Sequence, residues 1–591
     1  MSTLLESPAS TTAAARPGLL SRLWSRELPH YPGNKTRYFN LGLVVAITIV
    51  LYYQNYLAGG LSTHIMRTFH MSFAWYVNMV VVGYLVGACA SFAAGLADRF
   101  GRANLVIGGV LIAALLSIFG IPNAHSQLTF GIVFVAIGFV EGVVLVATPA
   151  LIRDFSPQVG RASAMGFWTL GPVLGSLVVS MVVSNSSDTM PWQDQYIICG
   201  IVALVVSLVA AFCLRELAPA LRDQLMVSAR DRALLEARAK GVDVEASTQH
   251  PFRQVLKPDV VSSAIAISVF LIIYYLAVGY FPVFFQTVFG FSQSTANSLG
   301  NWFWAAQALA LLLAGFISDK TRVRKPFMLF GAIGAIITTS LFAILATHPQ
   351  THYSTFVLLL TLIAVFVGIT YSPWMASFTE TVERRSPALV ASGLAVWGLT
   401  IRVVIAMSAF FLPHVINTVT TLVADGPVVK AAVAGKDPAL NATENATVKA
   451  VAADPTIVVK TKSLATKFAP ELATAAKIDP STKAALVATP ANPLTQAKAV
   501  SEISGLPVTT VVRVVTLGKQ GDLSTADKAF LAVNAPKVQD AAGELKALGA
   551  VPAADKQYLA TWGPALKDPK VQASLKELQA KVPGVKQAKH D

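Results

Sequence analysis

Residues 94–102 read Ala94-Gly95-Leu96-Ala97-Asp98-Arg99-Phe100-Gly101-Arg102. This short turn carries one acid and two arginines, and it lies between two runs almost free of charge, 71–97 and 103–121. At about 1.5 Å per helical residue, each run is long enough to cross a hydrocarbon core of about 30 Å. Apolar legs joined by a brief polar bend are what a helical hairpin in a bilayer needs. Working outward from this turn, further apolar spans fall near 39–61, 127–150, 162–184 and 194–214, then 260–288, 293–317, 326–346, 353–374 and 388–412. That makes six spans, a polar stretch, and five more. The composition agrees: 54% of the 591 residues are hydrophobic and only 13% charged, against about 25% charged in an average soluble chain. The spans exclude a soluble enzyme.

The formal net charge of +14 does not indicate nucleic-acid binding, because through residue 416 the basic residues sit in short loops between spans. The N-terminal arm carries Arg22, Arg26, Lys35 and Arg37. The loops after spans 2, 4, 8 and 10 carry Arg99 and Arg102; Arg153 and Arg161; Lys320, Arg322, Arg324 and Lys325; and Arg384 and Arg385. In the alternate loops Arg67 stands alone. This bias places the N-terminus and the 215–258 stretch in the cytoplasm of a plasma (inner) membrane protein. Five regions follow: a cytoplasmic arm 1–36, in which Leu19 to Leu28 is basic and amphipathic; a first half 37–214; a cytoplasmic linker helix 215–258; a second half 259–416; and an extracytoplasmic segment 417–591. That last segment is rich in Ala and Lys and broken by Asp-Pro at 437, 454, 479 and 568. It reads as short helices, partly disordered. Cys89, Cys199 and Cys213 all lie in apolar runs and read as packed thiols.

The chain repeats itself. A shift of 221 places Asp98 on Asp319 and Arg99 on Lys320, and a shift of 222 places Tyr52-Tyr53 on Tyr274-Tyr275. The 94–102 turn resembles the signature loop of the major facilitator superfamily, with Ala94 where the family has a leading Gly. Gly315-Phe316-Ile317-Ser318-Asp319-Lys320, followed by Arg322, resembles the weaker copy in the second half. The resemblance covers roughly 37–416. The whole arrangement also looks like actinobacterial members with a long extracytoplasmic C-terminal segment. It implies an all-α membrane protein with two six-helix-type halves. Superfamily members generally have twelve spans, so eleven predict that a twelfth is missing, through truncation or a shortened gene model. The physical use of the loops is switching: Asp98, Arg99, Gly101 and Arg102, with Asp319, Lys320 and Arg322, form ion pairs that hold one access state and break in the other. The alternative is that the arginines only set topology.

Two ionisable residues fall at mid-span, Glu141 in GFVEGVVLVA and Arg402 in WGLTIRVVIAM. A charge at that depth costs about 2.5–3.5 kcal/mol on insertion scales and faces a cavity or a partner. Glu141 is the candidate proton carrier, and the resemblance adds that span 4 lines the central cavity. Arg402 is the candidate anchor for an anionic group. A purely structural Glu–Arg pair is the competing reading. Polar and aromatic groups at similar depth complete the substrate candidates: Tyr52, Tyr53, Gln54, Asn55, Trp168, Tyr274, Tyr275, Asn301, Trp304 and Gln307. Some of these must serve helix packing instead. Gly171-Pro172-Val173-Leu174-Gly175-Ser176 is similar to the Gly-Pro motif of proton-coupled drug antiporters. It departs at Ser176, and Gly138 stands where that family's span-4 motif has an arginine.

The expected function is a secondary active transporter that works by alternating access, coupled to protons, moving a small organic solute and by preference an organic anion. An amphiphile efflux antiporter is the alternative, and a non-transporting scaffold or sensor acting through 417–591 on an envelope partner is the rival class. No phosphate-cradling loop, metal-ligand spacing or catalytic constellation is present in the sequence, so no cofactor, metal or enzymatic activity is expected.

Overall fold

The computed structural model describes residues 26–90, 100–156, 167–221, 224, 256–348, 350–385, 390–416 and 418–590. The chain divides into two compact units, residues 1–424 and 425–591.

In the first unit the apolar runs are helices: α1 (Asn34–Gly60), the short α2 (Ser62–Thr68), α3 (Phe73–Ala90), α4 (Arg102–Leu115), α5 (Gln127–Phe155), α6 (Gly171–Ser186) and α7 (Trp192–Cys213) form the first half. The second half comprises α8 (Pro258–Phe270), α9 (Ile272–Gly279), α10 (Phe281–Thr287), α11 (Gln293–Thr321), α12 (Lys325–Ala346), α13 (Tyr353–Arg385), α14 (Val390–Val415) and α15 (Val419–Ala424). Eleven helical spans among the described residues are long and apolar enough to cross a membrane. The seventh expected span is not one rod: it breaks at Leu271 and Tyr280 into α8, α9 and α10. Apolar side chains point outward along these helices, as Ile201, Val205, Leu208 and Phe212 do on α7 and Ile333, Ile336, Ile337 and Leu341 on α12. Such stripes are stable only against lipid. The same exposure corrects the cysteine expectation: Cys199 is packed, whereas Cys89 and Cys213 lie on exposed faces.

Close helix approach is built on glycine. α3 and α5 cross where Gly83 and Gly87 meet Gly138 and Gly142, two Gly-x-x-x-Gly pairs. A Cβ on Gly138 would lie 3.1 Å from the Gly83 carbonyl oxygen, and one on Gly142 would overlap that of Gly87. Small residues are what allow backbones this close in lipid, where no hydrophobic force drives helices together. The halves meet along α6 with α11, α3 with α14, and α1 with α9.

The near side, where α1 begins, is fastened within the first half by the end of the N-terminal arm. Glu27–Leu28 (β1) pairs in parallel with Glu216–Leu217 (β2), and Arg26 Nε donates to Asn104 Oδ1 at 2.8 Å. Most of the amphipathic stretch expected at Leu19–Leu28, and most of the 215–258 linker, lie outside the described residues. On the far side the two halves are stitched together. Thr63 Oγ1 lies 2.8 Å from Gln286 Oε1 and 2.7 Å from Gln293 Oε1. The Gly60 carbonyl accepts from Asn297 Nδ2 at 3.1 Å and from Gln293 Nε2.

The second unit is a separate body of ten helices between Gly426 and His590. Over 425–590 it consists of helices joined by short turns. The Asp-Pro steps explain the segmentation: Asp479 and Asp568 precede helices that open on Pro480 and Pro569. Proline is suited there because the first helical N–H has no partner to lose. Ile478, Val500, Ile503, Val511, Val514 and Val538 form one core, and Ala432, Val448, Val571 and Leu578 another. The apolar stretch 506–518 forms a helix inside this unit, bent 114° from the one before it.

The Gly142 crossing can be tested directly. Gly142→Leu should cost about 1–3 kcal/mol through overpacking, read as a lower midpoint of thermal unfolding in detergent. Gly108→Leu, where a Cβ meets nothing within 4 Å, should leave the midpoint unchanged.

Candidate functional site

Tyr52 lies eight residues before Gly60 on α1, about 12 Å along the helix from the far-side seam. At this depth side chains from seven helices converge: α1, α3, α5, α9, α11, α13 and α14. Glu141, at the midpoint of α5, is buried and within electrostatic reach of Arg402, midway along α14. The Arg402 side chain is accessible, and its charge also reaches Tyr52 and Tyr275. Tyr274 packs edge-on against both Tyr275 and Trp304, with ring centroids 5.0 and 5.1 Å apart. Tyr52 stands 5.2 Å from Tyr56. The result is one acid and one base set among tyrosines, between the halves.

Two tyrosines and a tryptophan join this group that the sequence reading did not select. Tyr84 on α3 is coupled to Glu141. Tyr371 on α13 is coupled to Tyr52 and Tyr274 and lies 6.4 Å from the Trp397 ring. A signal existed for Tyr84, a lone phenol in the otherwise apolar run VVVGYLVGA. Tyr371 in TYSPW was masked by its near-terminal look beside a proline. Gln307 Oε1 and Trp397 Nε1 are buried without a hydrogen-bond partner, and buried polar atoms of that kind await water or a ligand.

The other candidates go elsewhere. Tyr53 turns away from the centre towards Cys199 on α7, and Gln54 Nε2 donates to Ser117 Oγ at 3.4 Å. Both therefore belong to the interior of the first half, because neighbours on a helix point about 100° apart. Trp168 Nε1 donates to Thr148 Oγ1 at 3.3 Å, within the first half. Asn301 Nδ2 donates to Ser184 Oγ at 3.1 Å in the α6–α11 seam. Asn55 is half-buried on α1, and Gln307 is one turn along α11 from Trp304.

On the near side, Asp98 and Arg99 lie outside the described residues. Arg102 is buried and its Nη1 lies 2.8 Å from both carboxylate oxygens of Asp154, at the end of α5. Its backbone N–H donates to Glu216 Oε2 at 2.8 Å. Gly101 sits at φ +87°, with the Glu216 carboxylate where a Cβ would be; a side chain there would be both strained and obstructed. The second half repeats the device, but with a different cation from those expected. Arg324, not Lys320 or Arg322, bonds Asp319 at 2.5 Å and Glu380 at 3.1 Å. Arg102 and Arg324 are related by the same 222-residue shift as the tyrosine pairs. Burial opposes the Arg324 charge, but Asp319 and Glu380 outweigh it and hold its pKa above the ordinary arginine value. Lys320 and Arg322 are exposed, and Arg322 ends α11 in a left-handed conformation.

Eleven spans in two repeated halves, a mid-depth site between them and paired charged loops define a multi-pass membrane transporter. A sequence model of the Major Facilitator Superfamily matches residues 44–409, and the chain belongs to that family. It is 22% identical over 312 residues to the cis,cis-muconate transport protein of Acinetobacter baylyi, covering 51% of this chain and 69% of that one. It is 28% identical over 149 residues to the multidrug resistance protein MdtL of Salmonella heidelberg, covering 24% of this chain and 35% of that one. Among solved structures, a D-xylose-proton symporter superposes with a TM-score of 0.51 at 16% identity, covering 64% of this chain and 90% of that one; this likeness is one of fold.

The two loop arginines should differ in structural weight. Arg102→Gln removes the guanidinium that lies 2.8 Å from both carboxylate oxygens of buried Asp154 and should cost about 3–5 kcal/mol. Arg324→Gln removes partners that are 67% and 43% exposed and should cost less than about 1 kcal/mol. Thermal unfolding of the two variants side by side reads the difference.

Proposed function

We propose that this chain is a plasma-membrane symporter that moves a small organic anion together with a proton. The observation that carries the reading is the Glu141–Arg402 couple, set among Tyr52, Tyr275 and Tyr371 between the halves. The Arg402 guanidinium needs a counter-ion, and the two available are the Glu141 carboxylate and the substrate. A proton on Glu141 frees the guanidinium to bind an anion. Loss of both returns the pair to mutual attraction. Proton and anion therefore travel together, because each removes the other's competitor. The tyrosine hydroxyls donate to the anion, and the rings supply an apolar wall.

The muconate transporter among the relatives acts on a dicarboxylate, which suits an arginine anchor. The Lys/Arg bias of the near-side loops supports a cytoplasmic near side, with 417–591 on the other side. Closing and opening of the near side is assigned to the Arg102 and Arg324 clusters. A second reading, amphiphile efflux, draws on the match to MdtL and on the aromatic lining.

Proteoliposomes containing cis,cis-muconate as the probe separate these readings. Glu141→Gln should keep counterflow exchange but lose accumulation driven by a pH gradient. Arg402→Gln should raise KM tenfold or more, as expected for losing a charge-assisted contact of about 1.5–3 kcal/mol. Accumulation that survives Glu141→Gln sinks the proton role.

A further inference from the structure

In the second unit, the helix Val508–Leu517 is apolar on two faces. Val511 and Val514 pack into the core of the unit. Val508, Val512 and Val515 recur at i, i+4 and i+7 on the other face, where Val512 is 42% and Val515 49% exposed. Valine at a solvent-facing helical position is unfavourable twice over: its χ1 loses freedom against the preceding turn, and its methyl groups stay in water. A helix apolar around its circumference belongs where both faces are covered. Leu494, 67% exposed on the preceding helix Pro493–Ser504, opens onto the same groove as Val508 and Val512.

Three observations bear on what covers this surface. The two helices taken together are as apolar as a membrane span, yet they meet at an angle of 114°. The longer has 12 residues, which reaches only about 18 Å against about 30 Å for the hydrocarbon core. Membrane-grade apolarity in pieces too short to cross suits the boundary between headgroups and acyl chains. The charge suits an anionic surface. Residues 425–591 hold 21 Lys and Arg against 15 Asp and Glu, and each apolar stripe ends in an exposed lysine: Lys498 one turn after Leu494, and Lys519 one turn after Val515. Arg513 is engaged elsewhere, bonded to Asp527 at 2.9 Å and seated over the Phe530 ring. Lastly, only α15 lies between this unit and α14, the last span, which ends at Val415.

We propose that the corner at 493–517 is a membrane-docking surface: Leu494, Val508, Val512 and Val515 enter the headgroup–acyl boundary of an anionic bilayer, and Lys498 and Lys519 reach its lipid phosphates. The lysine stems lie along the apolar stripe while the ammonium groups stay among the headgroups. Little intrinsic affinity is needed, because the covalent link to α14 keeps the patch at high effective concentration beside the lipid. The inference rests on the second unit and holds whichever solute the central site carries.

The test uses the full chain, with Cys89, Cys199 and Cys213 replaced by Ser, as a single chain in nanodiscs of mixed phosphatidylcholine and phosphatidylglycerol. A nitroxide at Thr516→Cys, beside the patch, is compared with one at Val459→Cys, exposed on a helix that packs against Ala553–Lys567. Collision with oxygen, which concentrates in lipid, is measured against collision with a nickel chelate, which stays in water. The oxygen-to-nickel ratio should be severalfold higher at Thr516→Cys than at Val459→Cys, and should drop in discs of phosphatidylcholine alone. Leu494→Gln, Val512→Gln and Val515→Gln combined should bring it down to the Val459→Cys value. The midpoint of thermal unfolding, set by the buried face of the helix, should not move. Equal ratios at the two sites in the parent overturn the proposal, as does a high ratio that survives the triple substitution or ignores phosphatidylglycerol. Loss of both collisions at Thr516→Cys marks a protein surface as the occupant and overturns it equally.

Discussion

Hydrocarbon offers a backbone N–H or C=O no partner, and every other feature of the first unit depends on that constraint. It forces each crossing to be a helix that satisfies its own polar groups. It also removes the hydrophobic force that packs helices in water, so contact between spans must come from close approach. Gly83, Gly87, Gly138 and Gly142 supply it where α3 meets α5. The same constraint makes a mid-span charge costly, and Glu141 is buried within electrostatic reach of Arg402.

The two ends of the bundle are held by different chemistry. Among the described residues, the near side shows ion pairs within each half: Arg102 with Asp154, and Arg324 with Asp319 and Glu380. The far side uses hydroxyl–amide and amide–carbonyl contacts that cross from one half to the other, at Thr63, Gly60, Gln293 and Asn297, together with Arg67 Nε on the Val423 carbonyl and Ser292 Oγ on Asp188. Contacts within a half brace it through a rocking motion; contacts across the halves must break.

The repeat ties these observations together. Arg102 and Arg324, like Tyr52 and Tyr274, are separated by 222 residues and take equivalent places at the near side and at the centre. Equivalence is incomplete, however. Tyr53 and Tyr275 share the same separation, yet Tyr53 packs beside Cys199 inside the first half while Tyr275 lies near Arg402. The break of the seventh span at Leu271 and Tyr280 has no counterpart within α1, which runs unbroken from Asn34 to Gly60.

Much of the fold was legible in the residues alone. Length and uninterrupted apolarity determined the eleven spans, because crossing a bilayer is a one-dimensional requirement that each segment meets by itself. Charge at mid-span singled out Glu141 and Arg402 for the same reason, since its cost depends on depth and not on neighbours. Which side chains share a cavity is a three-dimensional matter. Tertiary packing alone decided that Tyr52 faces the centre while Tyr53 turns towards α7 and Gln54 towards Ser117, just past α4, that Tyr84 and Tyr371 join from helices far apart in sequence, and that Arg324 rather than Lys320 or Arg322 takes the acids. Helix rotation about its own axis sets these outcomes, and in a span apolar on every face no periodicity in the sequence reports that rotation.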